Sequence, residues 1–149
     1  MDNAKISKNT REVLLLLADG SLIQGEVFLS LYEAHHSGPQ RVGDLLKEEP
    51  AFIPVKTSES TRLVNIQQIM MVKIRAEWER DELITLGEKY RIRILTLDQQ
   101  EIEADVFVNM PNGFCRVKDY LNQPLRFYTF FVPFYVLYIN PRFILSIQD

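Results

Sequence analysis

The sequence is poor in the residues that build metal and redox sites. It has one cysteine, Cys115, and two histidines, His35 and His36, which are adjacent. A single cysteine excludes an internal disulfide and a Cys-x-x-Cys pair, as is typical of proteins from a reducing cytoplasm. Adjacent histidines on one loop rarely reach the same ion. We therefore expect no metal and no cofactor, an exposed histidine loop, and a Cys115 thiol that is packed rather than reactive.

Membrane-spanning and catalytic patterns are also lacking. The longest uncharged apolar stretch, 127–139, is interrupted by Pro133 and is shorter than the roughly 20 residues that cross a bilayer. The polar N-terminal segment has no apolar core of the kind found in signal peptides. No Gly-rich phosphate loop, nucleophile elbow or His-Glu-x-x-His pattern occurs. We expect a cytoplasmic protein without membrane association that is not an enzyme.

Basic residues are also fewer than acidic ones, with 17 Lys and Arg against 20 Asp and Glu. The formal net charge is -3 and the sequence pI is about 5.5, which argues against a broad electrostatic hold on nucleic acid and leaves room only for a local basic patch. The composition, 46% hydrophobic and 25% charged, is that of a globular protein. A chain of 149 residues forms one ordinary domain or two very small ones that support each other.

What the chain does have is a set of four landmarks that occur twice, in the same order. They are LADGSLIQGEVF at 17–28 with TLDQQEIEADVF at 96–107, RVGDLL at 41–46 with RVKDYL at 116–121, FIPV at 52–55 with FYTF at 127–130, and VNIQQIMMVKI at 64–74 with LYINPRFILSI at 137–147. Matching landmarks at similar spacing predict a tandem duplication. We predict a first unit over 8–75, a helical connector over 76–89 and a second, more diverged unit over 90–149.

The local patterns within each unit are those of strands and short helical turns. Arg91 and Arg93 alternate with apolar residues, as do the carboxylates of 101–105, so pairing these strands predicts cross-strand ion pairs on a solvated face. Asp44 and Asp119 begin short apolar-patterned turns, where a carboxylate accepts from free backbone N–H groups. The strand at 13–17 is apolar on both sides, which indicates cover on both sides.

The stretch VLLLLADGSLIQGEVFL at 13–29 resembles the first signature of the Sm-like small β-barrels. In that resemblance Gly20 supplies the positive φ of a tight turn and Gly25 the bend of a barrel corner. VNIQQIMMVKI at 64–74 lies where the second signature would be, and the combination is also similar to a group of small bacterial proteins associated with that fold. The resemblance implies a strongly bent five-stranded sheet in each unit and assembly through edge strands into rings.

In the best-known members of that superfamily the loop residues bind RNA, and here the sequence departs from them. Their Asp-x-x-Met-Asn element has no counterpart after Leu29, and Gln67-Gln68 and Asn140-Pro141 replace the basic pair of the second signature. The resemblance therefore implies the Sm-like fold for this chain, but it does not imply the RNA-binding site.

We accordingly expect a mostly β protein made of two tandem Sm-like five-stranded small barrels with short helical turns and a helical connector. Its expected function is that of a non-catalytic binding or scaffold module that binds a second copy or another protein through strand edges and the aromatic hairpin 130–136. The hairpin FVPFYV at 131–136 replaces a polar tip, KTSESTR at 56–62, in the first unit. We predict that Phe131, Phe134 and Tyr135 dock onto the sister unit or onto a second subunit, as exposed aromatic patches on proteins do.

Two alternatives from other classes stay open. An RNA or single-stranded nucleic-acid binder would combine phosphate contacts with base stacking. Its site would use Arg41, Arg116, Lys118, Arg126 and Arg142 beside Phe127 and Tyr128. An enzyme of unrecognised type would need a cleft of ionisable groups with perturbed pKa values.

Overall fold

A computed structural model describes residues 8–31, 40–79, 85–111 and 113–149. The predicted histidine loop, with His35 and His36, lies outside these residues. The strands are β1 Lys8–Leu17, β2 Leu22–Ser30, β3 Phe52–Lys56, β4 Thr61–Asn65, β5 Ile69–Arg75, β6 Glu88–Thr96, β7 Glu101–Val108, β8 Tyr128–Val132, β9 Tyr135–Ile139 and β10 Ile144–Gln148. The helices are α1 Val42–Glu48, α2 Ala76–Glu79 and α3 Val117–Leu121, and 3₁₀ turns cover Ile66–Gln68 and Pro141–Phe143.

The strands form one antiparallel sheet in the order β10-β6-β7-β8-β9-β5-β1-β2-β3-β4. The prediction of a mostly β protein is thus confirmed. The sequence predicted a separate five-stranded sheet in each unit, and the structure does not show this separation. One continuous ten-stranded sheet that is not closed takes their place. The physical reason is that β9 pairs with β5, which merges the strands before α2 with those after it through backbone hydrogen bonds.

The first half, β1–β5, and the second half, β6–β10, have the same strand order, with the fifth strand beside the first and the fourth at the far end. Register recurs as well. Leu15 pairs with Ile23 as Ile94 pairs with Ile102, and Glu26 pairs with Lys56 as Asp105 pairs with Phe131. The pairing of the first and fifth strands is interrupted by a register shift in both halves.

The two 3₁₀ turns fix which residues are equivalent in the final strands. Asn65 and Asn140 each cap a turn, their side chains accepting from the backbone N–H groups of Gln67 and Arg142 at 3.0 Å. The sequence match of 64–74 with 137–147 placed Asn65 opposite Tyr138 and was therefore wrong by two residues. The correct match makes Leu63 the counterpart of Tyr138, because each residue stands two positions before its capping asparagine.

Two apolar cores lie against the sheet, and β9 contributes to both. Its residues Val136 and Tyr138 belong to the first core, whereas Leu137 and Ile139 belong to the second. This division follows from the strand geometry, since successive side chains of a strand point to opposite faces. The first core, built mostly from β1–β5 and α1, is thus completed by a strand of the second half.

Two local predictions are confirmed. The carboxylate of Asp44 accepts from the backbone N–H of Arg41 at 2.8 Å, and that of Asp119 accepts from the backbone N–H of Arg116 at 3.2 Å. On the solvated face of the second half, Arg93 lies 3.1 Å from Glu103 and Arg91 lies 3.3 Å from Asp105. These exposed pairs contribute about 0.2 to 1 kcal/mol each and serve mainly to set register.

The connector between the halves is only partly a described helix. Its helical portion, α2, spans Ala76–Glu79, and β6 already begins at Glu88, inside the predicted connector 76–89. Trp78 packs half-buried against the first core, whereas Leu86 is exposed. None of the helices in the described part of the chain is both long and apolar enough to cross a membrane.

Candidate functional site at the strand junction and the open sheet edges

The junction between the halves is the pairing of β5 with β9. It runs in register from Met71 opposite Ile139 to Arg75 opposite Tyr135. Asn140 extends it, since its backbone N–H donates to the Met70 carbonyl at 2.9 Å and its side-chain amide donates to the Ile69 carbonyl at 3.1 Å. A fourth strand of one half therefore docks on a fifth strand of the other, with the capping asparagine closing one end.

A buried carboxylate ties this junction to α1 and α2. The Glu79 side chain is fully buried and accepts from the backbone N–H groups of Val42 at 2.9 Å and Gly43 at 3.0 Å. It also accepts from the Tyr138 hydroxyl at 2.5 Å. These donors offset the large cost of burying a carboxylate. The hydroxyl reaches the carboxylate from β9, so the second half supplies part of the support for the start of α1.

The ionisation of this cluster is shifted by its burial. Burial raises the pKa of the Glu79 carboxyl, an effect opposed by the hydrogen bonds from Tyr138, Val42 and Gly43. Burial and the neighbouring carboxylate together raise the pKa of the Tyr138 phenol well above its ordinary value. Glu79 and Tyr138 are both buried, and their hydrogen bonds connect α1, α2 and β9.

Gly43 is required by this arrangement. A Cβ added at Gly43 would lie 2.8 Å from the Tyr138 hydroxyl oxygen, closer than side chains pack. The corresponding residue of the second half, the second residue of α3, is Lys118. A tyrosine could not approach α3 in the way that Tyr138 approaches α1.

Outside the junction, the sheet ends in two open edges. Among the described residues, no strand pairs with the outer side of β4 or with that of β10. On β4, Leu63 is 71% exposed, and Phe52 of the neighbouring strand β3 is 54% exposed. Unpaired edge strands with apolar side chains are templates for pairing with another chain.

A groove of about 420 Å³ lies beside the β10 edge, between β10 and α3. We call it the outer groove. Its apolar lining includes Val117, Leu121, Tyr128, Ile144 and Ile147, and Lys118 and Asn122 stand among them.

The predicted aromatic interface is split by the structure. Phe131 is buried in the first core and packs edge-to-face on Phe107 with ring centroids 5.2 Å apart. Tyr135 is half-buried, with the Lys73 ammonium 4.3 Å from its ring centroid. Phe134 stands at the hairpin tip, 84% exposed, with φ of 69°. The hairpin thus lies partly within the chain, and its tip is its one freely accessible aromatic among these three.

The predicted basic strip is also divided. The Arg126 guanidinium donates to the carbonyls of Leu46 at 2.9 Å and Glu49 at 2.5 Å, at the C-terminal end of α1. The Tyr128 ring is buried, and Phe127 packs half-buried against the first core. Of the remaining residues of the strip, Arg116, Lys118 and Arg142 are exposed and Arg41 is half-buried.

Within the described ranges, His, Cys, Asp and Glu form no group of three or more that could hold a metal ion. Cys115 is half-buried, with its sulfur 3.1 Å from the Met110 carbonyl oxygen. No protein-family model, curated protein or solved structure matches the chain.

Sequence reasoning missed two of the most informative residues. Glu79 lies in a charged segment whose composition is typical of a solvent-exposed surface, and it is buried only through contacts with residues distant in sequence. Leu63 is followed directly by another apolar residue, Val64, so the sequence does not tell which of the two faces the core. The exposure of Leu63 on an open edge is visible only once the strand order is known.

Proposed function

We propose that this protein is a non-catalytic scaffold module that self-associates edge to edge, with β4 of one molecule pairing with β10 of the next. The observation that carries the proposal is the junction itself. Inside the chain a fourth strand, β9, already pairs with a fifth strand, β5. The two open edges are the remaining fourth strand and the remaining fifth strand, so the same pairing can be repeated between copies.

The register of the proposed contact follows from the equivalence of the halves. Val72 pairs with Tyr138 at the junction. Ile147 is the fourth residue of β10 as Val72 is the fourth of β5, and Leu63 is the counterpart of Tyr138. We therefore propose that Ile147 of one molecule lies opposite Leu63 of the next.

The backbone of β4 is oriented to make this contact. The N–H of Ile66 donates to the Ala51 carbonyl, on the β3 side. Because N–H groups alternate in direction along a strand, those of Asn65 and Leu63 point to the open edge. Asn140 is the counterpart of Asn65 in the second half, and its N–H donates to the Met70 carbonyl across the junction.

The matching strand order and registers also support a tandem duplication of a five-stranded unit, and support the Sm-like resemblance. A five-stranded unit and assembly through edge strands are what that resemblance implies. We propose that each half is an Sm-like unit, joined to the other by its sheet edge instead of standing as a separate barrel.

The test is the mass of the protein in solution, measured by size exclusion with light scattering over a wide range of concentration. We expect a mass above the 17.4 kDa of one chain that increases with concentration. Leu63→Pro removes an N–H that points to the open edge and should give a monomer, since proline is tolerated at such edge positions. The matched control is Ser58→Pro, in the exposed tip of the same hairpin. A wild type that runs as a monomer at every concentration contradicts the proposal.

A further inference from the structure

At the junction, the first half offers β9 an apolar seat. Tyr138 packs in the same core as Val42 and Leu46 of α1, and as Ile69 and Val72 of β5. All four of these residues are buried. The seat is therefore the space between the first helix of the half and its fifth strand, and it is filled by the side chain of a docked fourth strand.

The second half has the same positions in the same elements, but they line the outer groove. Val117 and Leu121 of α3 correspond to Val42 and Leu46 of α1. Ile144 and Ile147 of β10 correspond to Ile69 and Val72 of β5. The strand that would fill the groove is absent from the described chain, and Leu121, Ile144 and Ile147 are accordingly only half-buried.

The side chain that would fill it is found at the opposite edge. Leu63, the counterpart of Tyr138, points away from its own core, because the neighbouring residue Val64 is the one that packs there. Phe52, on the neighbouring strand β3, is also exposed, and its second-half counterpart Phe127 packs half-buried against the first core, to which Tyr138 belongs. Leu63 and Phe52 thus correspond to residues that pack against the first core at the junction.

We propose that the outer groove is a socket for the Leu63 side chain of a second copy, with Phe52 of that copy covering the rim. This inference rests on the proposed edge-to-edge association and names the contact that directs it.

Lys118 makes the socket selective. At the junction the seat ends at Gly43, which leaves room for the Tyr138 hydroxyl on its way to Glu79. In the outer groove Lys118 holds the equivalent position, so a Cβ is present where Gly43 has none. A leucine, which is shorter and carries no polar atom, fits where a tyrosine does not. The two contacts are therefore not interchangeable: β9 docks on β5, and β4 docks on β10.

The experiment measures the self-association constant by sedimentation equilibrium. Leu63→Asn should weaken association about tenfold or more, since it exchanges a buried leucine for an amide. The matched control is Leu22→Asn, which alters a leucine that is 63% exposed on β2, away from both edges. Thermal melts of both variants should coincide with that of the wild type at a concentration low enough to keep all three monomeric, because each residue is exposed in the single chain.

A second pair of variants tests the selectivity. Leu63→Tyr should weaken association, and Lys118→Gly added to it should restore the constant towards that of the wild type. If the wild type associates but Leu63→Asn behaves like Leu22→Asn, or the glycine gives no rescue, the socket is wrong while the edge pairing stands. A wild type that is monomeric throughout overturns both.

Discussion

Removing the Tyr138 hydroxyl tests whether the buried carboxylate holds the halves together. In Tyr138→Phe, the Glu79 carboxylate keeps two backbone donors, at 2.9 and 3.0 Å, and loses the third, at 2.5 Å. Hydrogen bonds to a charged group contribute about 1.5 to 3 kcal/mol, and the ring itself is unchanged. We expect the free energy of unfolding to fall by roughly that amount at neutral pH, and by less in acid, where Glu79 takes up a proton.

The assay is urea unfolding followed by the fluorescence of Trp78, the single tryptophan. The matched control is Tyr128→Phe, whose hydroxyl donates to the neutral carbonyls of Leu121 and Gln123. Such bonds contribute about 0.5 to 1.5 kcal/mol, so the control should cost less. If Tyr138→Phe costs no more than Tyr128→Phe, the carboxylate cluster does not have the role assigned to it.

Three further predictions concern the same region and the nucleic-acid-binding alternative. Gly43→Ala should destabilise the fold by about 1 to 3 kcal/mol, because the added methyl group meets the Tyr138 hydroxyl. Lys118→Ala, at the equivalent position of the second half, should change stability by no more than about 0.5 kcal/mol. Equal shifts of the melting temperature in the two variants would refute this reasoning. Burial raises the folded pKa of Glu79 above its ordinary 4.5, so the contribution of this residue to the free energy of unfolding is present in full below pH 4.5 and is lost as pH rises through the folded pKa. The stability advantage of the wild type over Glu79→Gln should therefore shrink from acid to neutral pH. A difference that stays constant with pH would argue against this assignment. Finally, a filter assay at low salt should retain no single-stranded nucleic acid, and retention that falls steeply with added salt would favour the alternative function.

The features that could be predicted from the sequence are those set by neighbouring residues. The capping roles of Asp44 and Asp119 follow from a carboxylate at the start of a helical turn, and the pairing of Arg93 with Glu103 follows from the alternation of two adjacent strands. Gly20 has the positive φ expected of its turn, and Gln99 adopts it in the second hairpin without being glycine.

The features that escaped prediction depend on contacts distant in sequence. Nothing in the residues of β9 specifies β5 as its partner, since any exposed strand edge offers the same backbone groups. The placement of Phe131 in the first core follows from that one pairing. So does the burial of Glu79, whose partner Tyr138 arrives from the other half. Gly25 is required by the close approach of β2 and β3, because a Cβ there would lie 2.6 Å from the Lys56 carbonyl oxygen.

The most direct test of edge-to-edge association is backbone deuterium exchange measured at low and at high protein concentration. The amides of β5 and β9 are already paired inside the chain and should exchange at the same rate in both samples. The amides of β4 and β10 that point to the open edges, such as those of Leu63 and Asn65, should become protected as the concentration rises. If the edge-facing amides of β4 and β10 exchange at the same rate at every concentration, the open edges do not pair and the account is wrong.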